Sequence, residues 1–132
     1  MNTDTIVSEI AEDRERETFE NLSVWQDAID LAARVYELSN ECRDFAFRGQ
    51  IRRAAASVSN NIAEGYERDS NADFIRFLFI AKGSCGEVRS QAHLACRVRL
   101  LTEEQSTLLI EQAARLSRRI ARFIAVRREK FN

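Results

Sequence analysis

The side chains that most often carry out catalysis or bind metals are few in this chain. His93 is the single histidine, and the three cysteines, Cys42, Cys85 and Cys96, include no C-x-x-C pair. Zinc sites need several such ligands at characteristic spacing, so the sequence predicts no metal centre. The three thiols are interpreted as buried side chains that pack as small apolar groups.

Acidic side chains are the remaining candidates for chemistry. A carboxylate site would draw on Glu64, Glu67, Asp69 and Glu87. The alternative is structural, with Glu64 pairing with Arg52, Arg53 or Asn61 in or beside a helix bundle. We favour the structural interpretation, because no nucleophile motif or acid–base constellation accompanies these carboxylates. The sequence therefore predicts a non-enzymatic protein without a cofactor.

Arginines provide the strongest candidate binding surface. Arg115, Arg118, Arg119 and Arg122 are spaced i, i+3, i+4 and i+7, which places them on one face of a helix, and Arg127 and Arg128 follow. Residues 89–132 contain ten basic and four acidic side chains, whereas residues 1–20 contain seven acidic and two basic ones. Guanidinium groups bind phosphates, so this face predicts binding to RNA or DNA.

A second hypothesis assigns the arginines no role with nucleic acid. A run of charge is usually a solvated helix face, and some of these arginines can pair with Glu111 or with the acidic N-terminal residues. The protein would then be a protein–protein or scaffold module.

Four helical patterns must position these residues. Apolar side chains recur at spacings of three and four, separated by short polar links, and no strand pattern occurs. Ser23 with Gln26, and Thr102 with Gln105, resemble capping boxes at two helix starts. Short links favour antiparallel neighbours, so the sequence predicts an all-α, antiparallel, up-down four-helix bundle. The predicted helices span residues 23–40, 50–65, 71–98 and 102–128.

The second predicted helix is rich in small residues and should lie in the middle of the bundle. Its polar positions should specify its neighbours, with Asn61 bonding across to another helix. Gly65 should end the helix in the left-handed conformation. Residues 42–49 are predicted as a link, with Phe45 and Phe47 against the core. The residues assigned a structural role are Gln50, Arg53, Ser57, Asn61, Glu64 and Gly65.

The first half of the third predicted helix is apolar on more than one face. One stripe fills the bundle, which leaves Phe77 and Phe79 as candidates for a subunit interface. Gly83 and Gly86 weaken a helix by about 1 kcal/mol each, and close contact with another helix is a reason for them.

The segment SVSNNIAEG, with QIRRAAA before it and FIRFLFIAKGSCGEV after it, carries the most specific pattern in the chain. Here the chain resembles the four helix bundle protein family, also known as 23S rRNA intervening-sequence proteins, over about residues 19–123. One departure is Ser59, where that family usually has proline. The matching residues are Gln50, Arg53, Ala54, Ser57, Val58, Asn61, Ile62, Ala63, Glu64 and Gly65, then Phe74, Phe77, Leu78, Ile80, Ala81, Gly83, Ser84 and Glu87.

The resemblance implies a homopentameric ring of four-helix protomers. The family is also similar to the pentameric accessory proteins of diversity-generating retroelements, which implies RNA and a reverse transcriptase, or another protein, as partners. The number five comes from this resemblance alone.

Length and composition set the remaining expectations. The 132 residues suit one domain, with 45% hydrophobic and 31% charged residues. Residues 1–18 are predicted to be an acidic, poorly ordered arm, and residues 19–132 the helical domain. Neither a membrane-spanning run nor an apolar N-terminal leader is apparent, so we expect a cytoplasmic protein without a membrane partner.

Overall fold

Apolar side chains at helical spacing form four long α-helices in the computed structural model, which describes residues 2–5 and 18–131. A short 3₁₀ turn, Phe19–Asn21, precedes α1 (Ser23–Leu38), α2 (Phe45–Tyr66), α3 (Asn71–Arg97) and α4 (Glu103–Phe131). Within the described ranges there is no strand, which confirms the all-α prediction. Most of the predicted arm lies outside these ranges, so the boundary at residue 18 stays a prediction.

The core is built from the apolar stripes that the sequence contains. Leu31 of α1, Ile62 of α2, Leu78 of α3 and Ile120 of α4 have no or almost no exposed surface. Burying such a side chain contributes roughly 1.5–3 kcal/mol, so these stripes hold the four helices together. In the part of the chain that the structure describes, no helix is both long and apolar enough to span a membrane.

Contacts between helices confirm the antiparallel arrangement. The ring of Phe74, near the start of α3, packs edge-on against Phe123, near the end of α4, with ring centroids 5.7 Å apart. Ser23, the first residue of α1, accepts a hydrogen bond from Arg119 in the second half of α4 at 3.0 Å. Such pairings require the two helices in each pair to run in opposite directions.

The start of α2 corrects the prediction of a link over residues 42–49. The Asp44 side chain accepts a hydrogen bond from the backbone N–H of Phe47 at 3.0 Å, so the helix begins at Phe45. Phe47 is buried as expected, but Phe45 is 70% exposed and lies outside the core. The sequence signal for this helix start is Asp44, an N-cap residue, and apolar spacing alone does not indicate it.

One of the two predicted capping boxes forms. Thr102 and Gln105 exchange hydrogen bonds between side chain and backbone at 3.0 and 3.1 Å, as predicted. Ser23 does not cap α1, because it already lies within the helix, and the Gln26 side chain instead donates to the carbonyl of Glu20 at 2.9 Å.

Gly65 does not end α2 in the left-handed conformation, and that prediction is wrong. Gly65 lies within α2, and among the described residues no glycine has a positive φ. A Cβ at Gly65 would lie 2.6 Å from the Cβ of Phe77, so this glycine lets α2 and α3 pack closely. Among the described residues, Arg99 has the positive φ, 65°, at the point where the chain leaves α3.

Candidate nucleic-acid interface and polar cleft

The arginines predicted as one binding face divide into two groups on α4. Arg119 and Arg127 are half-buried and bonded to other helices, whereas the others point outward. The exposed members of the predicted set are Arg115, Arg118, Arg122 and Arg128.

Arg119 joins α4 to α1. Its guanidinium forms an ion pair with Asp27 and donates a hydrogen bond to Ser23 Oγ at 3.0 Å. Because about two-thirds of both charged side chains is covered, this pair is more than a surface contact. Arg119 therefore has a structural role, because it links α4 to α1.

Arg115 borders an open groove between α1 and α4, about 480 Å³ in volume. Asp27, Asp30 and Glu37 of α1 and Arg34 also line this groove. Because α1 supplies three carboxylates, the positive charge beside Arg115 is largely balanced. The acids of α4 alone would therefore underestimate how much of the arginine charge is compensated.

Arg127 packs into the base of the bundle. Its Nε donates to Asn71 Oδ1 at 2.8 Å, while Asn71 Nδ2 donates to the Arg127 carbonyl at 3.1 Å. The guanidinium lies 5.0 Å from the ring centre of Phe74 and 3.8 Å from that of Phe131. Burial lowers the pKa of Arg127 from its usual value, and Tyr66 partly opposes this. These contacts give Arg127 a structural role.

Arg118, Arg122 and Arg128, named here the outer arginines, remain available. All three are exposed, and none has a carboxylate partner among the described residues. Arg122 also borders a groove of about 520 Å³ whose wall includes Leu22 and Phe123. Arg128 lies 5.1 Å from the ring centre of the exposed Phe79. The outer arginines thus combine free positive charge with adjoining apolar surface.

A second cluster lies between α2 and α3, where a polar cleft of about 330 Å³ opens to solvent. The structure brings three of the residues assigned a structural role, Gln50, Arg53 and Ser57, to one wall of this cleft. The other wall is formed by side chains spaced i, i+3 and i+7 on α3. Those side chains are Ser84, Glu87 and Gln91.

The floor of the cleft is a chain of hydrogen bonds. Asn61 Nδ2 donates to Ser57 Oγ at 2.9 Å and to the Ser57 carbonyl at 2.8 Å. The hydroxyls of Ser57 and Ser84 are 2.9 Å apart and join α2 to α3. The prediction that Asn61 bonds directly to another helix is wrong, because its bonds stay on α2 and Ser57 makes the crossing.

Glu64 lies away from the cleft. Its carboxylate is 3.6 Å from the Arg68 guanidinium in an exposed pair one helical turn apart. The expectation of a partnership with Arg52, Arg53 or Asn61 is therefore wrong. Arg52 instead donates from Nε to Ser39 Oγ at 2.9 Å.

The two phenylalanines predicted at a subunit interface differ in position. Phe77 is only 7% exposed and packs against Gly65, so the expectation that it is left over at the surface is wrong. Phe79 is 45% exposed. Beyond it, a Cβ added at Gly83 or Gly86 would meet nothing within 4 Å. The outward side of α3 is thus apolar or small over several turns.

The described residues contain no cluster of His, Cys, Asp and Glu side chains that could hold a metal ion. Burial raises the pKa of Cys85 to about 12, although Lys82 and Arg89 partly oppose the shift. A thiol of that kind is a poor nucleophile at neutral pH.

The sequence analysis assigns no role to Gln91, although this residue lines the polar cleft. The signal in the sequence is its spacing, which continues that of Ser84 and Glu87.

Comparison with known proteins places this geometry in context. The sequence pattern of the family described as 23S rRNA-intervening sequence protein matches residues 20–122. A crystal structure from Bacteroides thetaiotaomicron VPI-5482, of a protein with unknown function from the S23 ribosomal protein family, is 28% identical in sequence, with a TM-score of 0.72. The match covers 76% of this chain and 97% of that one. No curated protein matches the chain.

Proposed function

Because the chain belongs to the 23S rRNA-intervening sequence protein family, we propose that it is a non-enzymatic, self-associating protein that binds RNA through its outer arginines. The observation that carries the proposal is the outward position of Arg118, Arg122 and Arg128 without carboxylate partners in the described part of the chain. The family description supports RNA as the polyanion, and a cytoplasmic location accords with it.

The arrangement favours single-stranded nucleic acid. Single strands are bound by basic grooves in which exposed rings or apolar surface receive the bases. Arg122 lies beside the groove containing Phe123. A phosphate at this guanidinium would leave the neighbouring base near the apolar wall of the groove. Such contacts read no base edge, so binding should be tolerant of sequence.

The outward side of α3 supports self-association. Phe79, Ile80 and Leu94 are exposed along this helix, and Gly83 and Gly86 lie between them. A helix surface of small residues flanked by apolar ones allows a second helix to approach closely. A homopentameric ring, as the family resemblance implies, would use this side of α3, with Phe79 as an interface residue.

The RNA proposal is tested by fluorescence anisotropy with a single-stranded RNA at several salt concentrations. Changing Arg118, Arg122 and Arg128 together to alanine should weaken binding and reduce the slope of log affinity against log salt by about 2, since each phosphate contact contributes roughly 0.7. The matched control removes the same charge from exposed arginines elsewhere, Arg43, Arg89 and Arg97. Equal losses in the two variants, or no binding by the unmodified chain, would refute the proposal.

Self-association is tested separately by light scattering. Changing Phe79 and Leu94 to glutamate should lower the mass, because it places charge in the proposed contact. The matched control changes Ile29 and Leu108, exposed apolar residues on other helices, and should leave the mass unchanged. A monomer mass for the unmodified protein at micromolar concentration would contradict this part.

A protein–protein module is the second candidate, and the groove beside Arg115 favours it. Three acidic residues of α1 balance the arginines there, which suits a polar protein partner better than a polyanion. A reverse transcriptase, as the resemblance implies, would be such a partner. If the outer-arginine variant and its matched control lose RNA binding equally, the protein–protein module becomes the better supported function.

A further inference from the structure

The cleft between α2 and α3 is lined by an antiparallel ladder of polar pairs. Ser57 and Ser84 form the closed rung, with their hydroxyl oxygens 2.9 Å apart. Counting outward in opposite directions along the two helices places Arg53 opposite Glu87. The next step places Gln50 opposite Gln91. All six side chains line the cleft.

The outer two rungs are open. In the described ranges, neither Arg53 nor Glu87 has an ion-pair partner. Arg53 folds back over Gly49, whose missing side chain leaves room for the guanidinium: a Cβ there would lie 3.3 Å from Arg53 Nη1. Opposite charges therefore face the same cleft without neutralising each other directly.

The floor can accept hydrogen bonds but has no hydroxyl proton to donate. Ser84 Oγ donates to the Ile80 carbonyl at 3.2 Å, so Ser57 is the donor in the bond between the two hydroxyls. Each hydroxyl oxygen keeps one free lone pair. The side-chain oxygen of Gln91 has no hydrogen-bond partner among the described residues, but it is fully covered and faces no ligand in the cleft. The acceptors that the cleft presents are therefore the Glu87 carboxylate and the two hydroxyl oxygens, which favour a group that donates protons.

We propose that this cleft binds a small zwitterionic ligand of the α-amino-acid class. Its ammonium group would donate to the Glu87 carboxylate, and its carboxylate would pair with the Arg53 guanidinium. The lining carries one positive and one negative side chain, so a zwitterion meets a complementary charge at each end. The volume of about 330 Å³ is at the small end of ligand pockets and suits a molecule of this size.

The site is independent of the proposed RNA face. The cleft lies between α2 and α3, whereas Arg118, Arg122 and Arg128 are on α4. Its failure would leave RNA binding untouched, and the reverse also holds.

The test is saturation-transfer NMR on the full-length protein with glycine, L-serine and L-glutamine as probes. Acetate and methylamine, which each carry one of the two charges, are the matched ligands. We expect saturable binding of at least one amino acid, at least tenfold tighter than either single-charge analogue. Arg53→Gln and Glu87→Gln should each weaken it tenfold or more, and Arg89→Gln, an exposed change on α3, should have no effect. Thermal unfolding of each variant verifies that it is folded.

Several results would overturn the proposal. One is the absence of saturable binding up to roughly 10 mM, a concentration that fills most of a site with a dissociation constant of about 1 mM. A cleft covered by a second copy of the chain would give this result. Equal binding of acetate or methylamine would show a nonspecific ion effect. Full binding by both cleft variants would place the ligand elsewhere.

Discussion

Alanine substitution at three helical glycines tests the packing of α2 against α3 and the open side of α3. An alanine in a helix interior gains about 1 kcal/mol over glycine, so each change would be stabilising if nothing else were affected. At Gly65 the added Cβ would lie 2.6 Å from the Cβ of Phe77 and 3.3 Å from the Phe74 carbonyl oxygen. Neither atom can rotate away, since one is a Cβ and the other is backbone.

The expected magnitude follows from that geometry. Two carbon atoms in contact lie about 3.5–4.0 Å apart, so α2 and α3 must separate by roughly 1 Å to accept Gly65→Ala. Overpacking of this kind costs about 1–3 kcal/mol, and we take the upper end because the backbone has to move. Gly65 is the second-last residue of α2, so the helix gain there is smaller than in the interior, and Gly65→Ala should destabilise by roughly 2 kcal/mol. Gly83→Ala and Gly86→Ala should each stabilise the free protomer by about 1 kcal/mol, because their added Cβ atoms meet nothing.

Urea unfolding at several protein concentrations distinguishes the outcomes. If the outward side of α3 is a subunit interface, Gly83→Ala and Gly86→Ala should lower stability at high concentration and raise it at low concentration, because the oligomer needs the close approach and the free protomer does not. Gly65→Ala should be destabilised at every concentration. Equal stability of Gly65→Ala and Gly83→Ala at low concentration would refute the contact between α2 and α3.

Three further expectations concern single residues. Asn61→Ala removes two hydrogen bonds to Ser57 and should lower the unfolding free energy by roughly 1 kcal/mol, as measured by urea unfolding; no change would make those bonds unimportant for stability. Arg127→Ala should cost roughly 2 kcal/mol by thermal unfolding, and Arg128→Ala, an exposed control, under about 0.5 kcal/mol; equal costs would contradict the structural role. The pKa of Cys85 is raised from 9.0 to about 12, so the unfolded thiol ionises first and stability should fall between these pH values, by up to about 1.4 kcal/mol per pH unit; Cys85→Ala should show a smaller fall.

Helical periodicity was sufficient to predict the bundle but not the positions where one helix meets another. The stripes of α1 and α4 are buried as their spacing indicates, because a 3.6-residue period fixes which face turns inward. A glycine that ends a helix and a glycine that admits a neighbouring side chain look alike in sequence, so the sequence alone does not reveal that Gly65 admits Phe77. Apolar spacing does not locate the start of α2 either, because that start depends on the cap that Asp44 provides.

The candidate binding surface shows the same dependence on neighbouring helices. Arg119 has the spacing of a surface residue, yet Asp27, ninety-two positions earlier in the sequence, supplies its partner. No window of α4 contains that information, because the pairing depends on how α1 docks. The polar cleft is predictable from the sequence, because two sets of polar residues share one spacing. Gln50, Arg53 and Ser57 of α2 are spaced i, i+3 and i+7, as are the α3 side chains that face them across the cleft.

The reduced number of free arginines has a consequence for the proposed function. With Arg119 and Arg127 engaged and Arg115 beside carboxylates, each protomer offers three outer arginines to a polyanion. Few phosphate contacts give dissociation constants of roughly 10⁻⁴–10⁻⁶ M at physiological salt, which is the range of nonspecific binding. Joining several copies converts later contacts into intramolecular ones and can raise the affinity by about 10²–10⁴. Strong RNA binding by this protein therefore requires the self-association that the exposed side of α3 supports.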